Sequence, residues 1–161
     1  MIIEASWSDP IRLKKSQSSG LFNQINLELL PAEPGVYVFA RKYGKRLIPI
    51  YIGETLSIYH RIKTHMNSIA LMTAIKNTSN GARVLIYCTV STANRDKAKK
   101  HIKIIENALI IHAQSEGHEL FNKMGMKRPT DSILFSGNTL SKSIAPGTMR
   151  IRQALTRHKK K

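Results

Sequence analysis

The strongest constraint on the fold is a pair of strand-forming segments joined by a short turn. GVYVFARKY (residues 35–43) and RLIPIYIG (residues 46–53) are rich in β-branched and aromatic residues, which favour extended backbone. Gly44-Lys45 lies between them and is typical of a tight turn. The sequence therefore predicts a β-hairpin. Pro49 predicts an edge position or a bulge in the second strand, because proline has no N–H to donate to a neighbouring strand.

Helical periodicity and a third strand follow the hairpin. Apolar residues from Leu56 to about Ala70 recur at helical spacing, and residues 71–81 are predicted to continue that helix to the turn-like NTSNG. ARVLIYCTV (residues 82–90) is almost continuously apolar, which predicts a buried central strand. A second long helix is predicted from about Asn94 to Ser115. This order predicts an α/β fold of the α+β type, with a small three-stranded, largely antiparallel sheet flanked by helices.

The same pattern divides the 161-residue chain into three parts. Residues 31–125 form the predicted domain, and residues 1–30 are predicted to be an N-terminal extension. Residues 126–161 are predicted to be a basic C-terminal extension, because no acidic side chain follows Asp131.

Charge favours a polyanionic partner. Twenty-six lysines and arginines against ten acidic residues give a net charge of +16, which favours nucleic acid. No apolar run is long enough to cross a membrane, and the first ten residues lack the pattern of a secretory signal. The single cysteine, Cys88, cannot form an internal disulfide. We therefore expect a cytoplasmic protein without a membrane role.

Three groups of polar side chains do not fit an ordinary core. Glu106 lies in an apolar helical stripe, where a carboxylate needs a partner, a metal or a raised pKa; an ion pair with a nearby lysine is the simpler explanation. Arg61 and His65 lie on one helix face beside the buried stripe, although both could also be ordinary surface residues. Tyr37 and Tyr51 lie on the paired strands, where packing is the usual role of tyrosine.

Taken in order, these residues resemble the motif of the GIY-YIG nuclease superfamily. Gly35-Val36-Tyr37, followed after thirteen residues by Tyr51-Ile52-Gly53, is similar to the paired tripeptides that name the family, with Val in place of the first Ile. The family's further polar positions are matched in order, and the resemblance covers about residues 30–125. These positions are Arg61, His65, Glu106 and Asn122.

The resemblance implies a metal-dependent DNA endonuclease that hydrolyses phosphodiester bonds. Glu106 would be the only protein ligand of Mg²⁺, with Mn²⁺ as an alternative cation. Arg61 would bind the non-bridging phosphate oxygens. Either Tyr37 or His65 would be the general base, and the sequence leaves that choice open.

The remaining matched positions would support this chemistry. Tyr51 would hydrogen-bond to the phosphate or to Tyr37, and Asn122 would brace the site and tie its loop to the sheet. DNA, single- or double-stranded, would contact basic residues of the hairpin and first helix, and the protein would act as a monomer or homodimer. The basic residues are Arg41, Lys42, Lys45, Arg46 and Lys63.

Two other interpretations remain open. One is a catalytically inactive nucleic-acid-binding module with the same fold, and metal-dependent cleavage would distinguish it from a nuclease. The other is a basic RNA- or ribosome-associated protein, which leaves Glu106 unexplained.

Deleting residues 150–161 should weaken DNA binding and flatten its dependence on salt. This segment carries only positive charges, and each lost phosphate contact reduces the number of counterions released. The measurement is the slope of log affinity against log salt for the full chain and the truncated chain. An unchanged slope would remove the tail from the DNA-binding surface.

Overall fold

The computed structural model describes residues 1–122 and 132–150. These residues form seven strands, three α-helices and two short 3-10 helices, at Leu27–Leu29 and Thr139–Ser143. The strands are β1 (Ile2–Trp7), β2 (Ile11–Arg12), β3 (Gly35–Tyr43), β4 (Arg46–Thr55), β5 (Ala82–Val90), β6 (Ser132–Ser136) and β7 (Thr148–Arg150). The α-helices are α1 (Ile58–His65), α2 (Ile69–Lys76) and α3 (Arg95–Ser115).

The fold is α+β, but the predicted three-stranded sheet is wrong. All seven strands belong to one mixed sheet in the order β4-β3-β5-β1-β6-β7, with β2 also paired to β5. Every pairing is antiparallel except that of β1 with β6, which is parallel. The extra strands come from both sides of residues 31–125. They join the sheet because β5 offers β1 and β2 an edge beyond its pairing with β3.

The predicted hairpin is present and β4 is an edge strand. Its register places Tyr37 opposite Gly53 and Phe39 opposite Tyr51. The register shifts after Phe39, so that Ala40 faces Pro49. Proline at a bulge on an outer strand leaves no ladder N–H unmatched, which is the position expected from its chemistry.

The helix predicted through residues 56–81 is two helices. α1 ends at His65, and α2 begins four residues later, at Ile69, behind a new N-cap, where the Ser68 hydroxyl accepts a hydrogen bond from the Leu71 N–H at 3.3 Å. A serine cap satisfies one of the free N–H groups at a helix start and so favours a new helix at this position. The break lets each helix direct its own apolar face towards the sheet.

The sheet is covered on both faces. Side chains of β3 alternate, so that Val36 and Val38 pack in the core beneath α3 while Tyr37 and Phe39 pack in the core beneath α1 and α2. The α3 side also holds the buried residues of β1, β6 and β7. β3 is therefore buried on both faces. Its even-numbered side chains face α3, and its odd-numbered side chains face α1 and α2.

Parts of the predicted basic C-terminal extension and the end of the predicted domain lie outside the described residues. These parts are residues 123–131 and 151–161. Within residues 1–122 and 132–150, no helix is both long and apolar enough to span a membrane.

Ile133→Ala should destabilise the protein by about 2 to 5 kcal/mol, the usual cost of truncating a buried isoleucine. Ile133 of β6 is fully buried against the β1 residues of the α3-side core. The measurement is urea denaturation of the full chain. Leu134→Ala is the matched control, since the neighbouring Leu134 is 37% exposed on the other face; equal losses in both variants would contradict the placement of β6.

Candidate active site

The Tyr37 hydroxyl is the centre of a polar cluster on the α1 side of the sheet. It lies 2.6 Å from Nε2 of His65 and accepts a hydrogen bond from Nε of Arg61 at 3.4 Å. The Tyr51 ring stacks on Tyr37 with ring centroids 6.0 Å apart, and its edge meets the His65 ring at 5.4 Å. Four of the six predicted site residues are thus in mutual contact.

Local structure explains why these four side chains meet. Tyr37 and Tyr51 lie on the face of β3 and β4 that packs against α1. Tyr51 is opposite Phe39, two residues along β3 from Tyr37. α1 starts behind the Ser57 cap and is fixed to the sheet by its buried isoleucines. Arg61 and His65 are one helical turn apart beside that apolar stripe, so both side chains reach the rim of the sheet above Tyr37.

Gly53 makes room for the cluster. A Cβ at Gly53 would overlap the hydroxyl of Tyr37, which crosses directly over this glycine from the neighbouring strand. Gly53 does not have a positive φ, so close approach and not backbone conformation demands glycine here. Gly35 has a similar steric reason, because a Cβ there would overlap the backbone oxygen of Cys88.

Burial and charge set the protonation states of the cluster. Burial raises the pKa of Tyr37 well above its usual value, against the opposing influence of Arg61. Burial and the Arg61 charge lower the pKa of His65 to about 4. At neutral pH the tyrosine is therefore a phenol and the histidine a neutral ring. Arg61 can only donate to the Tyr37 oxygen, and a His65 ring that carries its proton on Nδ1 accepts the phenol proton at Nε2.

Glu106 lies on the other side of β4. It belongs to the α3 residues packed on the opposite face of the sheet and is only 4% exposed. The backbone N–H of Glu54 lies near its carboxylate and favours the ionised form, and within the described residues its Oε2 has no hydrogen-bond partner. Burial and the nearby Glu54 raise the pKa of Glu106 to about 7, although Lys103 opposes the shift. The simpler explanation, an ion pair at Glu106 itself, is not what the structure shows, since the only lysine ion pair nearby joins Lys103 to Glu54 within the described residues.

Asn122 occupies the open edge of β4. Its side-chain amide donates to the Ile52 carbonyl, and its Oδ1 accepts from the Ile52 N–H at 3.2 Å. The preceding Phe121 N–H donates to the Ile50 carbonyl at 2.8 Å. These contacts satisfy outward-facing groups of β4, which has no further partner strand in the part of the chain that the structure describes.

Glu106 and Asn122 therefore reach the cluster through β4 itself. Tyr37 lies against Gly53, Asn122 hydrogen-bonds to the preceding residue, and Glu106 lies near the backbone N–H of the following one. Three of the six predicted side chains, those of Tyr37, Glu106 and Asn122, lie against Ile52 to Glu54. The other three contact the side chain of Tyr37. No direct contact joins Glu106 to the tyrosines, Arg61 or His65 within the described residues.

The predicted DNA-contacting residues do not all lie at this cluster. Lys63 is exposed on α1, two residues from Arg61. The four basic residues of the hairpin lie at its far end, roughly 20 Å from Gly53 at about 3.3 Å per residue along β4. Of these, Arg41 donates to the Asn80 carbonyl at 3.1 Å and lies over the exposed Tyr43 ring. The others, Lys42, Lys45 and Arg46, are exposed.

Two residues at the site were not predicted from the sequence. Glu54 directly follows Gly53 and points to the α3 side, where it pairs with Lys103 at 3.3 Å. Phe121 is half exposed and its ring lies 6.3 Å from that of Tyr51. Strand alternation from Tyr51 indicates the side on which Glu54 lies, whereas nothing local to Phe121 indicates that it reaches β4.

Within the described residues, no group of three or more His, Cys, Asp and Glu side chains is placed to hold a metal ion. A scan against models of protein families, a search of curated proteins and a search of solved structures each return no match to this chain. What supports a function is therefore the geometry of the cluster itself.

His65→Gln should reduce the loss of stability between pH 7 and pH 4.5 by about 1 to 2 kcal/mol, allowing for solvent at a half-buried ring. The folded-state pKa of about 4 lies below the ordinary value, so the contribution of neutral His65 is present above about pH 6.5 and lost as the pH falls towards 4. Urea denaturation at the two pH values measures the difference. His60→Gln, which removes an exposed histidine of the same helix, is the control; identical pH dependence in both variants would refute the assignment.

Proposed function

We propose that the protein is a divalent-metal-dependent DNA endonuclease that hydrolyses phosphodiester bonds at the Tyr37 cluster. The observation that carries this proposal is that a Tyr–His–Arg cluster and a buried carboxylate lie against two neighbouring residues of one edge strand, Gly53 and Glu54. Such groups supply a proton route, a fixed positive charge and a metal ligand, which are the needs of phosphodiester hydrolysis.

Arg61 is the group that would bind the scissile phosphate. Its side chain is exposed, yet its Nε is held by the Tyr37 oxygen, so the guanidinium has a fixed direction while its outer N–H groups face solvent. A planar, permanently charged fork suits the non-bridging oxygens of a phosphodiester, where negative charge grows in the transition state.

Tyr37 and His65 would move the proton of the attacking water. Nε2 of His65 lies 2.6 Å from the Tyr37 hydroxyl, so with the ring proton of His65 on Nδ1 a water that donates to the Tyr37 oxygen could pass a proton along the pair, leaving His65 as imidazolium. Arg61 lowers the basicity of His65, and a phosphate bound to Arg61 offsets that charge. Substrate binding thus favours the proton transfer, with Tyr37 as relay and His65 as the final acceptor.

Glu106 fits a divalent cation because one of its carboxylate oxygens is buried and, within the described residues, has no hydrogen-bond partner. When bound, Mg²⁺ or Mn²⁺ would offset charge on the phosphate and stabilise the leaving oxygen. The backbone N–H of Glu54 lies near this carboxylate, and Asn122 fixes the strand that carries this N–H.

DNA is the proposed substrate because the chain carries a net charge of +16. Exposed basic residues lie both beside Arg61 and roughly 20 Å away at the hairpin end, a span of about six base pairs at 3.4 Å each. An inactive binding module would share this charge but would have no use for a buried carboxylate at β4. We therefore favour the enzyme, acting in the cytoplasm.

Glu106→Gln should lower Mg²⁺-dependent cleavage by about 10²-fold or more while DNA binding survives, because the amide keeps the shape but loses the metal-ligating charge. The measurement is cutting of supercoiled plasmid and of labelled oligonucleotides with Mg²⁺ or with EDTA, beside a gel-shift assay.

Glu116→Gln is the matched control for this variant. It removes the same charge from the exposed C-cap of α3 and should cleave as the wild type does. Wild-type protein that binds DNA but does not cut it with either Mg²⁺ or Mn²⁺ would favour the inactive binding module. Full activity in Glu106→Gln would remove Glu106 from the site.

A further inference from the structure

A second carboxylate lies beside Glu106 on the α3 side of β4. Glu54 projects to this side because its hairpin partner, Val36, is buried in the α3-side core. The Glu106 carboxylate lies near the backbone N–H of Glu54, and so near the base of the Glu54 side chain. The negative charge of Glu54 also acts on Glu106 and disfavours its ionised form.

One cation balances these two carboxylates. Lys103 lies on α3 one turn before Glu106, and its Nζ is 3.3 Å from Oε1 of Glu54. Glu106 is only 4% exposed, and its Oε2 has no hydrogen-bond partner among the residues that the structure describes. When both carboxylates are ionised they outnumber the single ammonium, beside a buried oxygen that has room for a further positive partner.

We propose that Glu54 is a second ligand of the divalent cation at Glu106, and that Lys103 holds the place of this cation until it binds. This inference rests on the proposed metal-dependent function and adds a residue to its site. Mg²⁺ is commonly held by one or two carboxylates, with waters and substrate phosphate completing its shell.

Lys103 is suited to give way. Its side chain is 57% exposed, and an ion pair this open to solvent contributes little to stability. Because Lys103 lies at the protein surface, its flexible stem can swing into water when a divalent cation takes its place. Glu54 is 25% exposed and lies on β4. This strand is fixed by the hydrogen bonds of Asn122 to Ile52, and Glu106 lies near its backbone at Glu54.

The test is direct binding of Mn²⁺ to the full chain without DNA. Binding is measured as the loss of the electron paramagnetic resonance signal of free Mn²⁺. Glu54→Gln should weaken Mn²⁺ binding by about 10- to 100-fold, the range seen when a supporting group of a metal site is lost. Lys103→Met should strengthen Mn²⁺ binding several-fold, because the competing ammonium is gone.

Charge-matched variants separate this effect from a change in net charge. Glu116→Gln changes the net charge as Glu54→Gln does, and Lys99→Met changes it as Lys103→Met does. Both control residues are exposed, Lys99 on α3 and Glu116 at its C-cap, and both variants should bind Mn²⁺ as the wild type does. Glu54→Gln binding no more weakly than Glu116→Gln, or wild-type protein binding no Mn²⁺, would overturn the role of Glu54. Equal affinities of Lys103→Met and Lys99→Met would overturn that of Lys103.

The cleavage assay distinguishes failure of this inference from failure of the proposed function. Mn²⁺ binding that depends on both Glu54 and Glu106, in a protein that cuts no DNA, supports the two-carboxylate site and rejects the nuclease. Metal-dependent cleavage with Mn²⁺ binding insensitive to Glu54→Gln retains the nuclease and rejects the second ligand.

Discussion

The close approach of the Tyr37 hydroxyl to the backbone of Gly53 is the contact on which the candidate site depends. Any side chain at Gly53 would displace the hydroxyl, and with it the hydrogen bonds to His65 and Arg61. Because β4 is an edge strand, its outer N–H and carbonyl groups remain open to Asn122 and Glu106. One glycine on an edge strand therefore lets groups from both faces and from the open edge converge.

Electrostatics divide the site into two halves. On the α1 side, burial keeps Tyr37 and His65 neutral, and Arg61 is the charged group at the surface. On the α3 side, Glu106 and Glu54 outnumber Lys103. In the proposed nuclease a phosphate would bind the first half and a metal cation the second, and a phosphodiester that binds Arg61 would bring negative charge towards the cation.

Sequence periodicity predicted the hairpin, β5 and the long helix α3, because each is decided within one segment. It missed β1, although Ile3, Ala5 and Trp7 alternate with outward-facing residues in the manner of a half-buried strand. It also missed β6, whose parallel pairing with β1 joins residues about 130 positions apart. No local pattern specifies such a partner, so the predicted sheet was too small. Ser68 was a signal for the helix break that apolar spacing alone obscured.

The sequence by itself determined the residue types of the site, their order, and the helix face shared by Arg61 and His65, since all three follow from spacing along the chain. Only the tertiary structure decided that His65 contacts Tyr37 and that Glu106 lies near Glu54, with Lys103 paired to Glu54. These contacts join residues from different strands and helices. Their protonation also depends on burial, and burial is a property of the packed sheet and helices that no single segment of the chain possesses.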